Sequence, residues 1–141
     1  MPQARTSLFG TVAERDYLQF WQSGRFQPKR VARFLALSKA ELAALAAVAP
    51  SSVRFDAKAP RVVRDLLIEI AAICELVAQF FEGNLAKTTV WFATTNPMLG
   101  DIAPQDMIRS GRYARLRRFV MEALADTEVA TALAESDNKD K

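Results

Sequence analysis

Two carboxylates and two arginines are the residues whose types and spacing could support catalysis, and they lie in one short segment: Asp101, Asp106, Arg109 and Arg112. An acid pair beside arginines could in principle do acid–base work on a phosphate or a sugar. The chain has no glycine-rich phosphate loop to support such a reaction. In a short polar connection, acids and arginines more often cap helices or remain solvated. The sequence therefore predicts a protein that is not an enzyme.

The other common catalytic and metal-binding residue types are scarce. The chain has no histidine and one cysteine, Cys74. This composition excludes Ser-His-Asp and Cys-His catalysis, histidine-ligated zinc and a disulfide within the chain. Cys74 lies next to Ile73 and close to Leu76 and Val77, so we interpret it as a small buried hydrophobe. We expect neither a metal site nor a cofactor.

The composition is that of a soluble globular protein. Half of the 141 residues are hydrophobic and a quarter are charged. No segment has the apolar core of a secretory signal or the length of a membrane span, so we expect a cytoplasmic protein. The net charge of +3 is unevenly placed, because residues 1–60 carry nine Lys or Arg against four acids. This excess is compatible with nucleic-acid binding, although the electrostatic field that it produces is modest.

A run of arginines is the densest charge feature of the chain: Arg109, Arg112, Arg115, Arg117 and Arg118 place five guanidinium groups in ten residues with no acid among them. On a helix, the spacing of three puts Arg112, Arg115 and Arg118 in one row. Guanidinium groups suit bidentate pairing with the carboxylates of a partner protein. A solvated basic face and nucleic-acid contact are the alternatives.

The elements that must position these residues are helices, and the fold class predicted is all-α. Helix starts are indicated by Pro28, by a capping box of Ser38 and Glu41, and by Pro104. The predicted helices are a short one over Glu14–Gln22 ended by Ser23-Gly24, one from Pro28, one over 39–48, a short one from Ser51 to about Ala57, a long one over 61–82, and three more over 85–93, 104–110 and 112–125.

The long helix over 61–82 has the broadest apolar stripe, running from Val63 to Phe80, with Glu75 assigned to the opposite, polar face. A stripe of this width needs two surfaces to cover it. We favour the rest of the monomer as the cover, with dimerisation through this helix as the alternative.

Residues 39–57 have the spacing of a helix-turn-helix motif, with Ala43 small at the helix crossing and Val53 pointing inward. The turn of such a motif favours a positive φ and often glycine, whereas here Ala47 and Ala49 flank Val48. The candidate DNA-contacting residues are Arg30, Arg33, Ser51, Ser52, Arg54 and Lys58. A helical hairpin with a solvated basic face is the alternative.

An ordered set of residues then resembles the toxin-binding domain of the MbcA/ParS/Xre antitoxin family: Trp91, Asn96, Pro97, Leu99, Gly100, Pro104, Met107, Ile108, Arg109, Gly111, Arg115 and Leu116. The match covers about residues 85–125. The upstream helices over 28–82 are similar to the Xre-like helix-turn-helix module of that family. Ala103 departs from the pattern, because a Ser or Thr cap is expected there.

The resemblance implies an antitoxin of a type II system whose partner is a RES-domain toxin, an enzyme that consumes NAD. Such an antitoxin would cover the entrance of the toxin active site and regulate its own operon by binding operator DNA. It implies a homo-oligomer, for which a dimer is one form. The expected division is an N-terminal extension with a short helix over 1–27, a helix-turn-helix-like domain over 28–84, a toxin-binding module over 85–125 and an acidic flexible tail over 126–141.

The resemblance, taken together with the arginine run and the acidic tail, gives the expected toxin-binding residues: Asn96, Pro97, Leu99, Gly100, Arg109, Arg112, Tyr113, Arg115, Arg118, Glu128 and Asp137. Trp91 and Phe92 are interpreted as core residues that hold the following turn. The acidic tail could reach a cleft that normally holds a dinucleotide and mimic its negative charge. The alternative function is a helix-turn-helix regulator whose C-terminal module only oligomerises or binds a different partner.

Overall fold

Helices form most of the structure, a computed structural model that describes residues 16–56 and 58–139, with the backbone alone from 128 onward. The six described helices are α1 (Pro28–Phe34), α2 (Lys39–Ala46), α3 (Arg61–Phe80), α4 (Leu85–Ala93), α5 (Pro104–Arg109) and α6 (Tyr113–Lys139), joined by 3₁₀ turns at Pro50–Ser52 and Pro97–Leu99. Strands β1 (Trp21–Gln22) and β2 (Arg25–Phe26) pair antiparallel in a small hairpin. The predicted mostly helical class is confirmed. None of the described helices is both long enough and apolar enough to cross a membrane.

One hydrophobic core centres on α3, and it includes residues from both predicted modules. Val63, Leu67, Ile70 and Ile73 of α3 are fully buried. The core continues into the remaining elements through Phe20, Val31, Leu35, Leu42, Phe92, Met107, Ile108, Leu116 and Val120. Burial of each such large side chain stabilises the fold by about 1.5–3 kcal/mol. The residue ranges 28–84 and 85–125 thus share a single core.

The short helix expected over Glu14–Gln22 is wrong where the structure describes it, from Asp16 onward. The Asp16 carboxylate accepts hydrogen bonds from the backbone N–H groups of Phe20 and Trp21, both at 2.9 Å. These bonds satisfy donors that a helix would otherwise use. Ser23 and Gly24, expected to end the helix, have φ values of 53° and 77° and form the turn of the hairpin. Two positive φ angles are what a tight two-residue hairpin turn requires.

The capping box of α2 is confirmed, but the helix predicted from Ser51 to about Ala57 is wrong over the described residues 51–56, and Ala57 itself lies outside the described part. Ser38 Oγ accepts from Glu41 N at 3.0 Å, and Glu41 Oε1 accepts from Ser38 N at 2.9 Å. After α2 the chain makes only the 3₁₀ turn at Pro50–Ser52 and is extended at Val53. Asp56 then accepts from Lys58 N at 2.9 Å, which closes a local turn in place of a helix.

The turn after α2 does have the positive φ that the helix-turn-helix spacing predicts. Ala47 lies at φ 57° and ψ 45°, in the left-handed region. A β-carbon is disfavoured in that conformation by roughly 1–2 kcal/mol. Val53 is buried, as expected, and so is Ala43 on α2.

Glu75 is buried, which contradicts its assignment to the polar face of the long helix. Its carboxylate accepts hydrogen bonds from Tyr17 N at 2.9 Å and from Leu18 N at 2.8 Å. The chain before the hairpin therefore crosses over α3 and covers Glu75, a position that helical periodicity predicts to be exposed to solvent. The side chain of Tyr17 also lies against Gly83, just beyond the end of α3.

The last helix is longer than expected. The sequence predicts a helix that ends at Ala125 before a flexible tail, whereas α6 continues to Lys139. No glycine or proline follows Gly111, and alanine, leucine and glutamate are favourable helix formers. The prediction of an irregular segment from 126 is therefore wrong as far as Lys139, and residues 140–141 lie outside the described part.

Candidate protein-interaction surface

The Asn-Pro-Met-Leu-Gly segment forms a closed loop between α4 and α5. Asn96 N donates to Ile102 O at 3.2 Å, and Asp101 N donates to Asn96 O at 3.0 Å. The Asn96 side chain accepts from Met98 N at 2.9 Å. Leu99 is buried while Met98 is 76% exposed. The loop is thus a scaffold that anchors one apolar residue in the core and presents its neighbour at the surface.

Gly100 allows this loop to close. Its φ of 81° is in the left-handed region that glycine adopts without steric cost. No atom lies within 4 Å of the position that a β-carbon would occupy there. The glycine is therefore required by backbone conformation and not by close packing.

Two adjoining apolar depressions lie on one side of the protein, and we call them together the Trp91 groove. The first, of about 230 Å³, is lined by Val77, Phe80, Phe81, Trp91, Asn96, Met98, Phe119, Val120 and Ala123. The second, of about 450 Å³, is lined by Phe81, Ala86, Lys87, Val90, Trp91 and Thr94. Phe81 and Trp91 belong to both depressions. The groove therefore runs from α6 and the Asn96 loop, past the end of α3, to the outer side of α4.

The groove is open and apolar, with large side chains exposed along it. Phe80 is 44% exposed and Val90 is 63% exposed, in addition to Met98. Trp91 is held in place by an edge-on contact with the buried Phe92 ring, with centroids 5.2 Å apart. The expectation that Phe92 is a core residue is confirmed, whereas Trp91 is only partly buried. A contiguous apolar surface on a rigid support is typical of a site for another protein.

Exposed arginines lie beside the groove on α6. Arg115 and Arg118 are exposed, and Arg115 stands one helical turn before Phe119, a groove residue. Arg112, also exposed, donates from Nε to Ser110 Oγ at 3.1 Å at the start of this helix. Arg117 is directed to the opposite side, where its Nη1 lies 3.7 Å from Glu69 Oε1 of α3. Arg112 at the start of α6, and Arg115 and Arg118 within it, are thus exposed, and Arg115 is the one that stands a single turn from a groove residue.

Arg109, which the resemblance assigns to toxin binding, has mainly internal contacts. Its Nη2 donates to Leu35 O at 2.7 Å, and its Nη1 pairs with Asp106 Oδ1 at 2.9 Å. Its Nε is buried, with Glu41 Oε2 at 3.8 Å, beyond hydrogen-bonding distance. The Arg109 guanidinium therefore joins α5 to the end of α1 and to α2.

The remaining predicted toxin-binding residues fall in different environments. Pro97 is exposed next to Met98, and Tyr113 is partly buried against the core. Glu128 and Asp137 lie in the part of α6 for which the backbone alone is described. The sequence pattern did not identify Phe80, Val90 or Met98 as surface residues, because apolar side chains at helical spacing are indistinguishable from core. Only the position of Met98, between a Pro turn and a buried Leu, was a usable signal.

The predicted DNA-contacting residues do not form a recognition helix. Ser51 and Ser52 are exposed on the 3₁₀ turn, and Arg54 pairs with Asp56 at 2.8 Å. That pairing, together with a bond from Lys58 N, holds the pKa of the Asp56 carboxyl below its usual value, with the Lys58 bond the larger cause. Arg30 donates to Gln19 O at 3.0 Å and so lies beside the hairpin.

The carboxylates and arginines considered for catalysis are not gathered around either apolar depression. Asp106 and Arg109 form an ion pair, and Asp101 is exposed. Neither depression of the Trp91 groove includes any of the four residues. Within the described residues there is no group of three or more His, Cys, Asp or Glu that could hold a metal ion.

Comparisons with protein-family models, curated proteins and solved structures gave no match to this chain. Any assignment of function therefore depends on the ordered residues from Trp91 to Leu116 and on the surface that they form.

Proposed function

We propose that this protein is the antitoxin of a type II toxin–antitoxin system and neutralises a RES-domain, NAD-consuming toxin. The Trp91 groove is the docking surface in this proposal, and the inhibition is steric and stoichiometric. The toxin contributes an apolar element that enters the groove and carboxylates that meet the exposed arginines of α6.

The observation that carries the proposal is the exposure of Phe80, Val90 and Met98 around Trp91. Val90 and Met98 lie within residues 85–125, where the resemblance expects the toxin-binding module, and Phe80 at the end of α3 lines the same depression as Met98. Transfer of such apolar area from water is favourable by about 25 cal/mol per Å². Burial of this apolar surface against the toxin can therefore provide binding affinity.

The arginines beside the groove supply orientation in addition. Arg112, Arg115 and Arg118 are exposed, and a guanidinium pairs with a carboxylate in a fixed bidentate geometry. Exposed charges at the rim of an interface mainly accelerate association and select the partner. A partner with a matching acidic rim is thus favoured over other apolar surfaces.

The test is co-expression of the protein with the product of the neighbouring toxin-sized gene, followed by co-purification and an NAD-consumption assay. We expect a stable complex and loss of NAD consumption at equimolar protein. The variant Met98→Asp should release the toxin, because it places a charge in an apolar contact. Lys39→Asp is the control, since Lys39 is an exposed residue of α2 that lines neither depression of the groove. Full inhibition by Met98→Asp would reject the groove as the docking surface.

The acidic end of α6 has a separate part in the proposal. Glu128 and Asp137 lie on the helix beyond the core, and their negative charge would occupy the cleft that holds the dinucleotide. Deletion of residues after Ala125 should restore NAD loss while some toxin binding remains. The full-length variant Glu128→Gln with Asp137→Asn separates charge from length. Full inhibition by the truncated protein would exclude this role of the tail.

The alternative is a DNA-binding regulator whose C-terminal module only oligomerises or binds a different partner. It is favoured by the excess of cations before α3, where residues 16–60 carry seven Lys or Arg and three acids. In that case the Trp91 groove would be covered by another copy of the chain. Light scattering of the wild type and of Met98→Asp distinguishes the two, because only self-association through the groove gives a change of mass without the toxin. A salt-dependent shift of upstream DNA tests the operator-binding role that both readings share.

A further inference from the structure

The charges of α6 are segregated along the sequence into a basic half and an acidic half. Residues 112–118 carry four arginines and no acid, whereas residues 126–137 carry four acids and no Lys or Arg: Asp126, Glu128, Glu135 and Asp137. No acid is present in the first turn of the helix. The helix dipole favours the reverse order, with acids near the N-terminus and cations near the C-terminus. Stabilisation of the single helix therefore does not explain this charge order.

The two halves of α6 lie at different places along the molecule. Arg117 in the basic half contacts Glu69 of α3, and Ala123 lines the same depression as Phe80 at the end of α3. From Ala123 the backbone of α6 continues for a further sixteen residues to Lys139, about 24 Å at 1.5 Å per residue. The basic half thus lies along α3, and the acidic half begins where α3 ends.

One side of α6 is turned away from the core, opposite the buried Leu116 and Val120. Its described members are exposed, and Met121 among them is a large apolar residue with 50% of its surface exposed. Because successive residues of a helix are about 100° apart, two later residues continue this side within an arc of about 80°. We call this side the outer face of α6, and its residues are Ala114, Arg118, Met121, Ala125, Glu128 and Ala132.

The outer face is complementary to itself when a second copy lies antiparallel. With the twofold axis opposite Ala123, Arg118 of one copy faces Glu128 of the other, and Met121 faces Ala125. Each contact then occurs twice, as an interface between identical chains requires. A parallel arrangement would instead place like charges opposite each other, which is unfavourable.

Arg118 has no competing partner within its own chain. It forms no ion pair among the residues whose side chains the structure describes, whereas the neighbouring Arg117 pairs with Glu69. Its guanidinium is therefore available to a carboxylate of another molecule.

We propose that two copies of this chain associate through the outer faces of antiparallel α6 helices, with Arg118 of each copy paired to Glu128 of the other. The groove residues Phe119 and Ala123 lie about 100° and 140° around the helix from Arg118, on the side away from the outer face. This dimer therefore leaves the Trp91 groove uncovered, unlike the self-association through the groove considered above. Arg118 and Glu128 also belong to the expected toxin-binding set, so the toxin and a second copy would compete for them.

The test is sedimentation equilibrium of the full chain without toxin, over a range of micromolar concentrations at low and high salt. We expect twice the chain mass of 15.7 kDa, with weaker association at high salt because the pairing is electrostatic. Arg118→Glu should weaken dimerisation by about thirtyfold or more, since two like-charge pairs replace two ion pairs. Glu128→Arg should have the same effect.

The combined variant Arg118→Glu with Glu128→Arg should recover the dimer, because each pair is present again with its charges exchanged. Within one chain the two positions are ten residues apart, about 15 Å along the helix, where salt screens their interaction. Recovery therefore reports a contact between chains. Circular dichroism of each variant separates loss of the dimer from loss of the helix.

Two controls test whether the effect is specific to the outer face. Lys39→Glu makes the same change in net charge as Arg118→Glu at an exposed position of α2 and should retain the wild-type dimer. Met98→Asp alters the Trp91 groove and should also retain it. A monomeric wild-type protein, a folded combined variant that stays monomeric, or loss of the dimer in Met98→Asp would overturn the proposal.

Discussion

The guanidinium of Arg109 donates a hydrogen bond of 2.7 Å to the backbone carbonyl of Leu35, which joins α5 to the end of α1 across the core. A second, longer contact of 3.4 Å reaches the carbonyl of Ala36, a residue with a φ of 52°. Asp106 completes the arrangement by pairing with the other Nη atom. The first arginine of the basic run thus acts as an internal clamp.

Replacement of Arg109 by alanine should therefore destabilise the fold. The Leu35 carbonyl would lose its charged donor, and a hydrogen bond to a charged group contributes about 1.5–3 kcal/mol. We expect a loss of about 2–3 kcal/mol in the free energy of unfolding, measured by urea denaturation. The control Arg112→Ala removes an exposed arginine and should change stability by less than about 0.5 kcal/mol. Equal stability of the two variants would contradict the clamp and return Arg109 to the set of partner-facing arginines.

Met98 and Leu99 are adjacent in the loop but should respond in opposite ways to truncation. Leu99 is 2% exposed, so Leu99→Ala should cost about 2–4 kcal/mol of stability through the cavity it leaves. Met98→Ala should leave the unfolding midpoint almost unchanged and weaken toxin binding about tenfold, the effect of roughly 1.4 kcal/mol of lost apolar contact. Urea denaturation and isothermal titration of the purified toxin measure the two effects. A stable Met98→Ala protein with wild-type affinity would show that the loop does not contact the partner.

Gly83 and Gly100 both have positive φ angles, of 82° and 81°, yet they have different surroundings. A β-carbon on Gly83 would lie 2.8 Å from the Tyr17 ring, whereas one on Gly100 would meet nothing within 4 Å. Gly100→Ala should therefore cost only the backbone strain, about 1–2 kcal/mol. Gly83→Ala should cost more, because Tyr17 must also move. The variant Gly83→Ala with Tyr17→Ala should recover part of the difference in thermal unfolding, and equal losses for both single variants would argue against the Tyr17 contact.

The helices that carry explicit start signals could be predicted from the sequence. The Ser38–Glu41 capping box and the prolines at the starts of α1 and α5 act through local hydrogen bonds and a fixed φ, so they do not depend on the rest of the fold. The expected helix at α4 is likewise present. Local signals of this kind can be read without knowledge of tertiary contacts.

The features that depend on distant contacts could not be predicted. Glu75 is polar, and its burial requires the Tyr17 and Leu18 amides, which are more than fifty residues away in the sequence. The hairpin at Trp21 replaces a helix because Asp16 captures two backbone donors. The Trp91 groove is equally non-local, because Phe80 and Met98 become neighbours only when α3 and the Asn96 loop pack together. Sequence periodicity identifies the apolar face of a helix, but it does not show which residues of that face remain exposed to solvent after folding.

Glu75 makes the attachment of residues 16–20 to α3 sensitive to pH. Burial is the main cause that raises the pKa of its carboxyl from an ordinary 4.5 to about 7, with the nearby Asp16 charge adding to the effect and the Leu18 and Tyr17 amides opposing it. Between these two pH values the folded protein keeps a proton on Glu75 that the unfolded chain has lost. The contribution of Glu75 to the free energy of unfolding should therefore be largest below about pH 4.5. It should decrease as the pH rises through 7.

Replacement of Glu75 by glutamine should remove this pH dependence. Glutamine resembles the protonated carboxyl in having no charge to desolvate, although its amide nitrogen cannot accept from one of the two backbone N–H groups, so the variant should be less stable than the wild type at low pH. We expect the wild-type protein to lose about 1–2 kcal/mol between pH 5 and pH 7.5, less than the whole shift implies, because pH 5 already lies above the ordinary pKa and solvent screening weakens the effect. Glu75→Gln should show a flat profile over the same window, measured by urea denaturation at constant ionic strength. Glu69→Gln is the matched control, because Glu69 is a partly exposed residue of α3 paired with Arg117, and it should retain the wild-type slope. A slope in the Glu75→Gln protein equal to that of the wild type would assign the pH dependence to another group.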